Sequence, residues 1–380
     1  MPEGISPLNS AAKASACRPA PAHQQQDARF ARAFDILRQA IEARGFPAAS
    51  LAVTRRGELI ARRALGRFTY EPSAPEVTPD TLFDLASVTK VIATTAMAMI
   101  LYERGVLDLE APVAGIIPEF AGGDSRRQEI TLHMLLAHSS GLPAYEKLYL
   151  RARTREELLR AAFAAPLTAD PGVHAEYSDI GFIVLGAVLE RLADDSLDRF
   201  CQREILGPLG MAHTVFNPPP AWRSSIPPTA DDRTFRGRII QGEVQDENAS
   251  VLGGVAGHAG LFSTAEDVAS FAHAMLSGGR PIVRPETVSL FTRRGSSPEG
   301  SSRALGWDTP SSPSQSGRYL SPKSFGHLGY TGTSLWIDPE RELSVTLLTN
   351  RTWPDCENQA IKEVRPRFHD AIIEALEGKV

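Results

Sequence analysis

At 380 residues, 42% hydrophobic and 22% charged, the chain is long enough to bury a substantial core. Its net charge of −5 supplies no attraction to nucleic acid or to an anionic membrane surface, and no apolar run approaches the roughly 20 residues of a membrane span. Three widely spaced cysteines without a Cys-x-x-Cys pair indicate neither a disulfide framework nor a structural zinc site, and His133 and His138 lack the intervening glutamate of a zinc-peptidase helix.

Residues 1–27 are rich in Ala, Pro, Ser and Gln and lack an apolar segment of signal-peptide type, so a disordered lead is expected, with the folded domain over 28–380. The expected location is cytoplasmic, or periplasmic or secreted if a leader has been removed. From Ala28 to Gly45, Phe30, Ala33, Phe34, Leu37 and Ile41 recur at helical spacing, and Gly45 and Pro47 end the pattern. Two apolar runs, Ala48 to Val53 and Glu58 to Ala64, flank Arg55-Arg56-Gly57 and predict a β-hairpin. Helices are predicted over Val91 to Arg104, Ile130 to Ala137, Arg155 to Ala164, Gly181 to Leu192 and Thr264 to Leu276, the last behind a capping box read as Ser263 to Glu266. Gly295 to Arg318, rich in Ser, Pro and Gly, is expected to be an exposed connection. Strands Ser334 to Ile337 and Leu343 to Thr349 then precede a helix over Ile361 to Leu376. Pairing of the first and last strands gives an α+β fold (an α/β sandwich). An antiparallel sheet (about 28–86 and 300–380) carries the terminal helices, and a mostly helical part (about 87–299) is inserted.

Ser87 and Lys90 lie three residues apart at the start of a predicted helix, on one face. A serine hydroxyl is a weak nucleophile that an adjacent amine can activate once burial or a neighbouring charge lowers the amine's pKa. Tyr177-Ser178-Asp179 follows a Pro171-Gly172 turn and leads into an apolar helix, from which a phenol can shuttle protons beside an ammonium. Gly326 to Thr333 precedes a strand, and its glycines allow a ligand close to an edge-strand backbone. Each pattern alone is also ordinary structure: a helix cap, a core tyrosine, a tight turn.

Ser-x-x-Lys, then Tyr-x-Asp about ninety residues on, then His-x-Gly before the last two strands, together resemble the penicillin-recognising serine hydrolase superfamily, which includes class C β-lactamases, D-Ala-D-Ala carboxypeptidases and family VIII carboxylesterases. The resemblance runs from about Ala28 to Val380 and is supported by Leu135 to Pro143, Tyr177 to Gly186, Gly253 to Asp267 and Thr331 to Asn350. It implies a β-lactamase/transpeptidase-like fold, Ser87 as nucleophile, Lys90 and Tyr177 as proton-transfer partners, and an oxyanion hole from the backbone amides of Ser87 and Tyr330. It implies neither cofactor nor metal.

Three departures from the family pattern bear on substrate. The third motif is His327-Leu328-Gly329 in place of Lys-Thr-Gly, and leucine cannot donate to a substrate carboxylate, a charge-assisted bond of about 1.5–3 kcal/mol; Thr331, Thr333, Arg351 or Thr352 are candidates to compensate. Asp179 stands where the pattern has Asn, and a carboxylate there favours the Lys90 ammonium and shifts the base role towards Tyr177. Tyr145 replaces an amide side chain and suits an apolar moiety. The expected function is a carboxylesterase of small or medium acyl esters. The alternatives are a β-lactamase or D-Ala-D-Ala carboxypeptidase/D-aminopeptidase using the same site, a non-catalytic penicillin-binding-like sensor, and acyl transfer to an alcohol or amine. A small-molecule ester, peptide or β-lactam is the expected partner; nucleic acid and a membrane span are not, and the oligomeric state stays open.

Overall fold

The computed structural model describes residues 18–295 and 298–378. Six strands form the main sheet: β1 (Ala20–Pro21), β2 (Ala48–Arg55), β3 (Glu58–Gly66), β4 (Phe325–Leu328), β5 (Ser334–Asp338) and β6 (Leu343–Thr349), in the spatial order β1-β3-β2-β6-β5-β4. The two ends of the chain meet at its centre, where β2 and β6 pair antiparallel with Leu51 opposite Leu347. Arg56 and Gly57, both at positive φ, make the two-residue turn between β2 and β3, the conformation whose twist matches a hairpin.

Both faces of the central strands β2, β5 and β6 are covered, so nearly every residue in them is buried. Helices α1 (Ala31–Glu42) and α4 (Ile361–Glu377) pack on one face: Phe34 and Leu37 from α1 and Phe368 and Ile372 from α4 meet Ala49, Leu51, Val345 and Leu347 in one cluster. The alternate residues Ala48, Ala52 and Leu348 face the larger core of the helical region, which includes α2 (Asp179–Ala193) and α3 (Ala265–Leu276). Although α3 lies within 87–299, it packs directly against β2, β5 and β6. A small sheet joins Phe83–Asp84, Leu261–Ser263 and Val215–Phe216. No helix among the described residues is long and apolar enough to cross a membrane.

Three local expectations differ from the structure. Of the expected lead, residues 1–17 lie outside the described residues, while 18–27 are ordered: Ala20 and Pro21 pair with Glu58 and Leu59, and Arg18 donates to Asp267 Oδ1 at 2.6 Å. The cap of α3 is Thr264, whose side chain accepts from the Asp267 amide, one residue later than the predicted box, because Ser263 belongs to a strand. The connection from Gly295 to Arg318 is not wholly exposed. Trp307 is fully buried between Phe271 (ring centroids 6.3 Å) and Phe325 (4.9 Å), and the Gly306 amide donates to Leu136 O at 2.8 Å. Gly306, at φ +83°, is required there: a Cβ would sit 2.0 Å from Thr95 Oγ1.

Candidate active site

Ser87 lies in a single 3-10 turn (Ala86–Val88) entered through Ala86, whose φ of +46° is a left-handed conformation that costs a non-glycine residue energy. Asp84 holds the strained turn, accepting from the Ala86 amide at 2.8 Å and, through its second oxygen, from the Gln245 amide at 2.7 Å. The chain then winds through a wide π-type turn (Lys90–Thr95), a geometry frequent at functional sites, and the Lys90 side chain returns beneath Ser87.

Lys90 is fully enclosed and its Nζ meets three acceptors: Ser87 Oγ at 2.9 Å, Asp179 Oδ1 at 2.6 Å and His258 O at 3.1 Å. Asp179 opens α2, and Ser178 caps that helix by accepting from the Gly181 amide. Burial pushes the Lys90 pKa below its ordinary value, and Asp179 opposes that shift without cancelling it. The ammonium was expected to be fixed by Asp179; the enclosure of Lys90 is the stronger influence. Two of its partners, a carboxylate and a carbonyl, can only accept. A neutral Lys90 therefore commits both N–H bonds to them and turns its lone pair to the Ser87 hydroxyl, while an ammonium donates to all three without moving.

Tyr177 stands over this cluster, with Lys90 Nζ 4.9 Å from its ring centroid. Burial first, and then the Asp179 charge, push its phenol well above the ordinary value, while a hydrogen bond with Ser87 pulls the other way; it rests as a phenol. His138, left-handed at φ +55° just past the helix Leu132–Leu136, accepts from the Ser178 amide at 3.0 Å through Nδ1 and lies 4.8 Å from the Tyr177 ring. His327 lies on the other side of Tyr177, with ring centroids 5.9 Å apart. Its Nδ1–H donates to Leu328 O at 2.8 Å, and burial holds the imidazole neutral, well below its ordinary pKa, so the buried Nε2 keeps a lone pair without a protein partner.

The segment after β4 is stapled to the backbone before Ser87. Thr331 Oγ1 donates to Asp84 O and Thr333 Oγ1 to Leu85 O, each at 2.8 Å. Gly329 permits this approach, since a Cβ would meet Leu85 O at 2.6 Å. From α4, buried Arg365 donates to Gly329 O at 2.6 Å and Thr333 O at 2.7 Å, and burial lowers its pKa to about 9. Tyr330 is thereby carried past Ser87. Among the described residues, neither the Ser87 nor the Tyr330 amide donates to a protein acceptor, which leaves both donors available.

The structure thus gathers Ser87, Lys90, Tyr177, Asp179 and His327, with Tyr330 (51% exposed) and Tyr145 (39%) at the rim; the Tyr145 hydroxyl reaches Glu247 at 3.4 Å. Two expected substrate contacts are placed elsewhere. Leu328, the next residue along β4 from His327, points to the opposite face and packs with the α1/α4 core. Thr352 is fully buried and presents no surface to a ligand. Among the residues that the sequence did not single out, Arg365 had a legible signal, a charge on the apolar stripe of α4 with Ile361, Phe368 and Ile372. Asp246 accepts from the buried His258 ring at 2.8 Å and from the Ala249 amide at 2.7 Å. Arg303, with Cζ 5.4 Å from the Tyr177 ring centroid, had no sequence signal at all. Among the described residues no three His, Cys, Asp or Glu side chains are grouped to hold a metal.

A family model described as Beta-lactamase matches residues 33–365. A protein of Escherichia coli strain K12 named "Putative D-alanyl-D-alanine carboxypeptidase" is 32% identical over 344 residues, covering 81% of this chain and 79% of the relative. An N-acetylmuramyl-L-alanine amidase of Bacillus subtilis strain 168 is 33% identical over 346 residues, covering 81% and 78%. Among solved structures, EstCE1, a hydrolase with promiscuous acyltransferase activity, superposes with a TM-score of 0.75 at 24% identity, over 91% of this chain and 99% of that one.

Proposed function

This chain belongs to the beta-lactamase family and is a serine hydrolase of that fold, and within it we propose that it hydrolyses carboxylic esters of small or medium acyl groups through an acyl-enzyme on Ser87. The observation that carries the acyl-enzyme is the trio of acceptors around Lys90. The neutral amine takes the seryl proton as Ser87 Oγ attacks the ester carbonyl, and the resulting ammonium keeps the same three partners. The free amides of Ser87 and Tyr330 receive the oxyanion. Tyr177, a phenol in contact with Ser87, gives its proton to the departing alkoxide and recovers one by way of Lys90. Water then enters where the alcohol left, and the same groups run the steps in reverse to release the acid. Support for an ester as acyl donor comes from His327, a neutral ring at the first position of the third motif, and from the aromatic rim of Tyr145 and Tyr330.

A peptidase acting next to a chain-terminal carboxylate is the second reading. It is favoured by the Arg303 cation over Tyr177 and by the name given to the Escherichia coli relative, a putative D-alanyl-D-alanine carboxypeptidase. Intact-mass measurement after exposure to a fluorophosphonate tests the acyl-enzyme, with adduct formation expected in the native protein and none in Ser87→Ala; label persisting in Ser87→Ala refutes the nucleophile. Turnover of short-chain p-nitrophenyl esters is expected to exceed that of nitrocefin and of a D-Ala-D-Ala peptide, and the reverse order would install the second reading.

A further inference from the structure

We infer that His138 is a positioning residue of the reaction: it fixes the backbone on both sides of Tyr177 and supports one face of the ring, so that the phenol is aimed at the departing group. This inference rests on the acyl-enzyme reading of Ser87 with Tyr177 as its acid, and it adds the residue through which that acid is held.

His138 closes the helix Leu132–Leu136. Its amide donates to Leu135 O at 3.2 Å and the Ser139 amide donates to Met134 O at 2.8 Å, the two bonds of a Schellman closure, whose left-handed position glycine fills most readily. A histidine at φ +55° there costs conformational energy, so a side chain is kept where ending the helix requires none.

The contacts of that side chain account for it. Nδ1 accepts from the Ser178 amide at 3.0 Å, and the carbonyl of the same histidine accepts from the Glu176 amide at 2.8 Å. Both chain neighbours of Tyr177 are thereby tied to one residue. The buried ring lies 4.8 Å from the Tyr177 ring and stacks on Phe182 at 4.9 Å with an interplanar angle of 28°. Acceptance at Nδ1 places the ring proton on Nε2, which is buried without a partner among the described residues, so the Ser178 amide is the polar anchor of the imidazole. Burial first, and then Arg303 and Lys90, hold the ring neutral, well below its ordinary pKa, and keep Nδ1 an acceptor.

The other ties of this segment lie beyond Tyr177. Ser178 Oγ donates to Pro143 O at 2.7 Å and the Asp179 amide to Ala144 O at 2.8 Å, securing the start of α2 whatever stands at position 138. Loss of the His138 side chain therefore releases one face of Tyr177 while Asp179 and Lys90 keep their contact. Proton delivery, which depends closely on geometry, is the step that suffers.

The test compares kcat/KM for ethyl butyrate, whose alkoxide must be protonated, with that for p-nitrophenyl butyrate, whose phenolate departs unaided. His138→Gly removes the ring and is at ease at a left-handed φ; His138→Asn tolerates that φ and returns an acceptor where Nδ1 stood. His138→Gly is expected to lose about tenfold to a hundredfold on ethyl butyrate and at most about threefold on the p-nitrophenyl ester, and His138→Asn to recover most of the loss. In a Tyr177→Phe background, His138→Gly should cost ethyl butyrate hydrolysis little more, because the group it aims is already gone. An unchanged ratio of the two esters in His138→Gly, no recovery in His138→Asn, or a full further loss in the Tyr177→Phe background makes His138 a packing residue and overturns the inference. Fluorophosphonate labelling of Ser87 reports whether each variant is assembled. If His138→Gly does not label, His138→Asn decides: an ester ratio near the native one upholds the inference, and one near that of Tyr177→Phe overturns it. A native protein that cleaves the p-nitrophenyl ester but not ethyl butyrate has no acid to aim, which overturns the inference while leaving the acyl-enzyme standing. Absence of both labelling and turnover in the native protein removes the acyl-enzyme reading itself, and this inference with it.

Discussion

Asp179 Oδ1 lies 2.6 Å from Lys90 Nζ, joining the first residue of one long helix to the first residue of the turn that follows the serine. Lys90 is enclosed, so this carboxylate moderates a desolvation that would otherwise lower the amine's pKa further. Asp179→Asn retains an acceptor oxygen but removes the charge. The Lys90 pKa then falls further, and the acidic limb of kcat/KM, which reports deprotonation of the free enzyme's base, moves to lower pH. A pH profile of ester hydrolysis checks this; an unmoved acidic limb would show that Lys90 is not the titrating base.

Asp246 acts on the same lysine from behind. Burial alone would raise its pKa, but the His258 ring and the Ala249 amide hold it below the ordinary value, so it remains a carboxylate near Lys90. Asp246→Asn is expected to move the acidic limb in the same direction as Asp179→Asn, by less, since its charge reaches Lys90 without a direct hydrogen bond. Parallel pH profiles of the two variants check the ranking.

Tyr177→Phe separates proton donation from packing, because the ring stays between His138 and His327. In kcat/KM, which reports acylation alone, a loss of about 10²–10⁴ is expected for an alkyl ester, whose alkoxide must be protonated, and a much smaller loss for a p-nitrophenyl ester of the same acid, whose phenolate departs unaided. Equal losses on the two substrates would count against Tyr177 as the acid.

Arg365→Met removes the charged donor shared by the carbonyls of Gly329 and Thr333, leaving each with one backbone amide, that of Gly332 and that of Gly329 respectively. Thermal or urea unfolding should show a destabilisation of about 1–3 kcal/mol. The kcat for ester hydrolysis should fall as well, since the segment carrying Tyr330 loses its brace. Lost stability with unchanged kcat would mean that Thr331 and Thr333 suffice to hold it.

Asp84 couples the strained turn to pH. Burial raises its pKa from 3.8 to about 6, so the folded state binds a proton more tightly than the unfolded chain does. That contribution is complete below pH 3.8 and is lost as pH rises through 6, on the order of 3 kcal/mol at most. Relative to Asp84→Asn, the native protein is therefore expected to lose stability between about pH 4 and pH 6. Denaturant melts of both proteins across that range check the sign.

Much of the framework was legible because it obeys short-range rules. The hairpin at Arg56-Gly57, the periodicity of the first and last helices and the apolar runs of β2 and β6 each follow from a repeat of two or 3.6 residues. Pairing of the chain's two ends follows once both carry strands that must be buried on each face. The capping box failed by one residue because Ser263, equally able to cap, ends a strand that pairs it with Phe83. The Gly295–Arg318 connection failed because composition does not register that one tryptophan, Trp307, can anchor an otherwise polar loop.

The sequence by itself determined the order and spacing of the reactive groups: Ser87 three residues before Lys90, Tyr177 and Asp179 opening a helix, and His327 two residues before a glycine that presses on Leu85. Only the tertiary structure decided how they act. Enclosure of Lys90 outweighs the charge of Asp179, the pleat of β4 turns Leu328 away while His327 faces Tyr177, and Arg303 arrives from a segment 126 residues after Tyr177. Charge state and orientation depend on what surrounds a side chain in space, and for this site those surroundings come from residues far away along the chain.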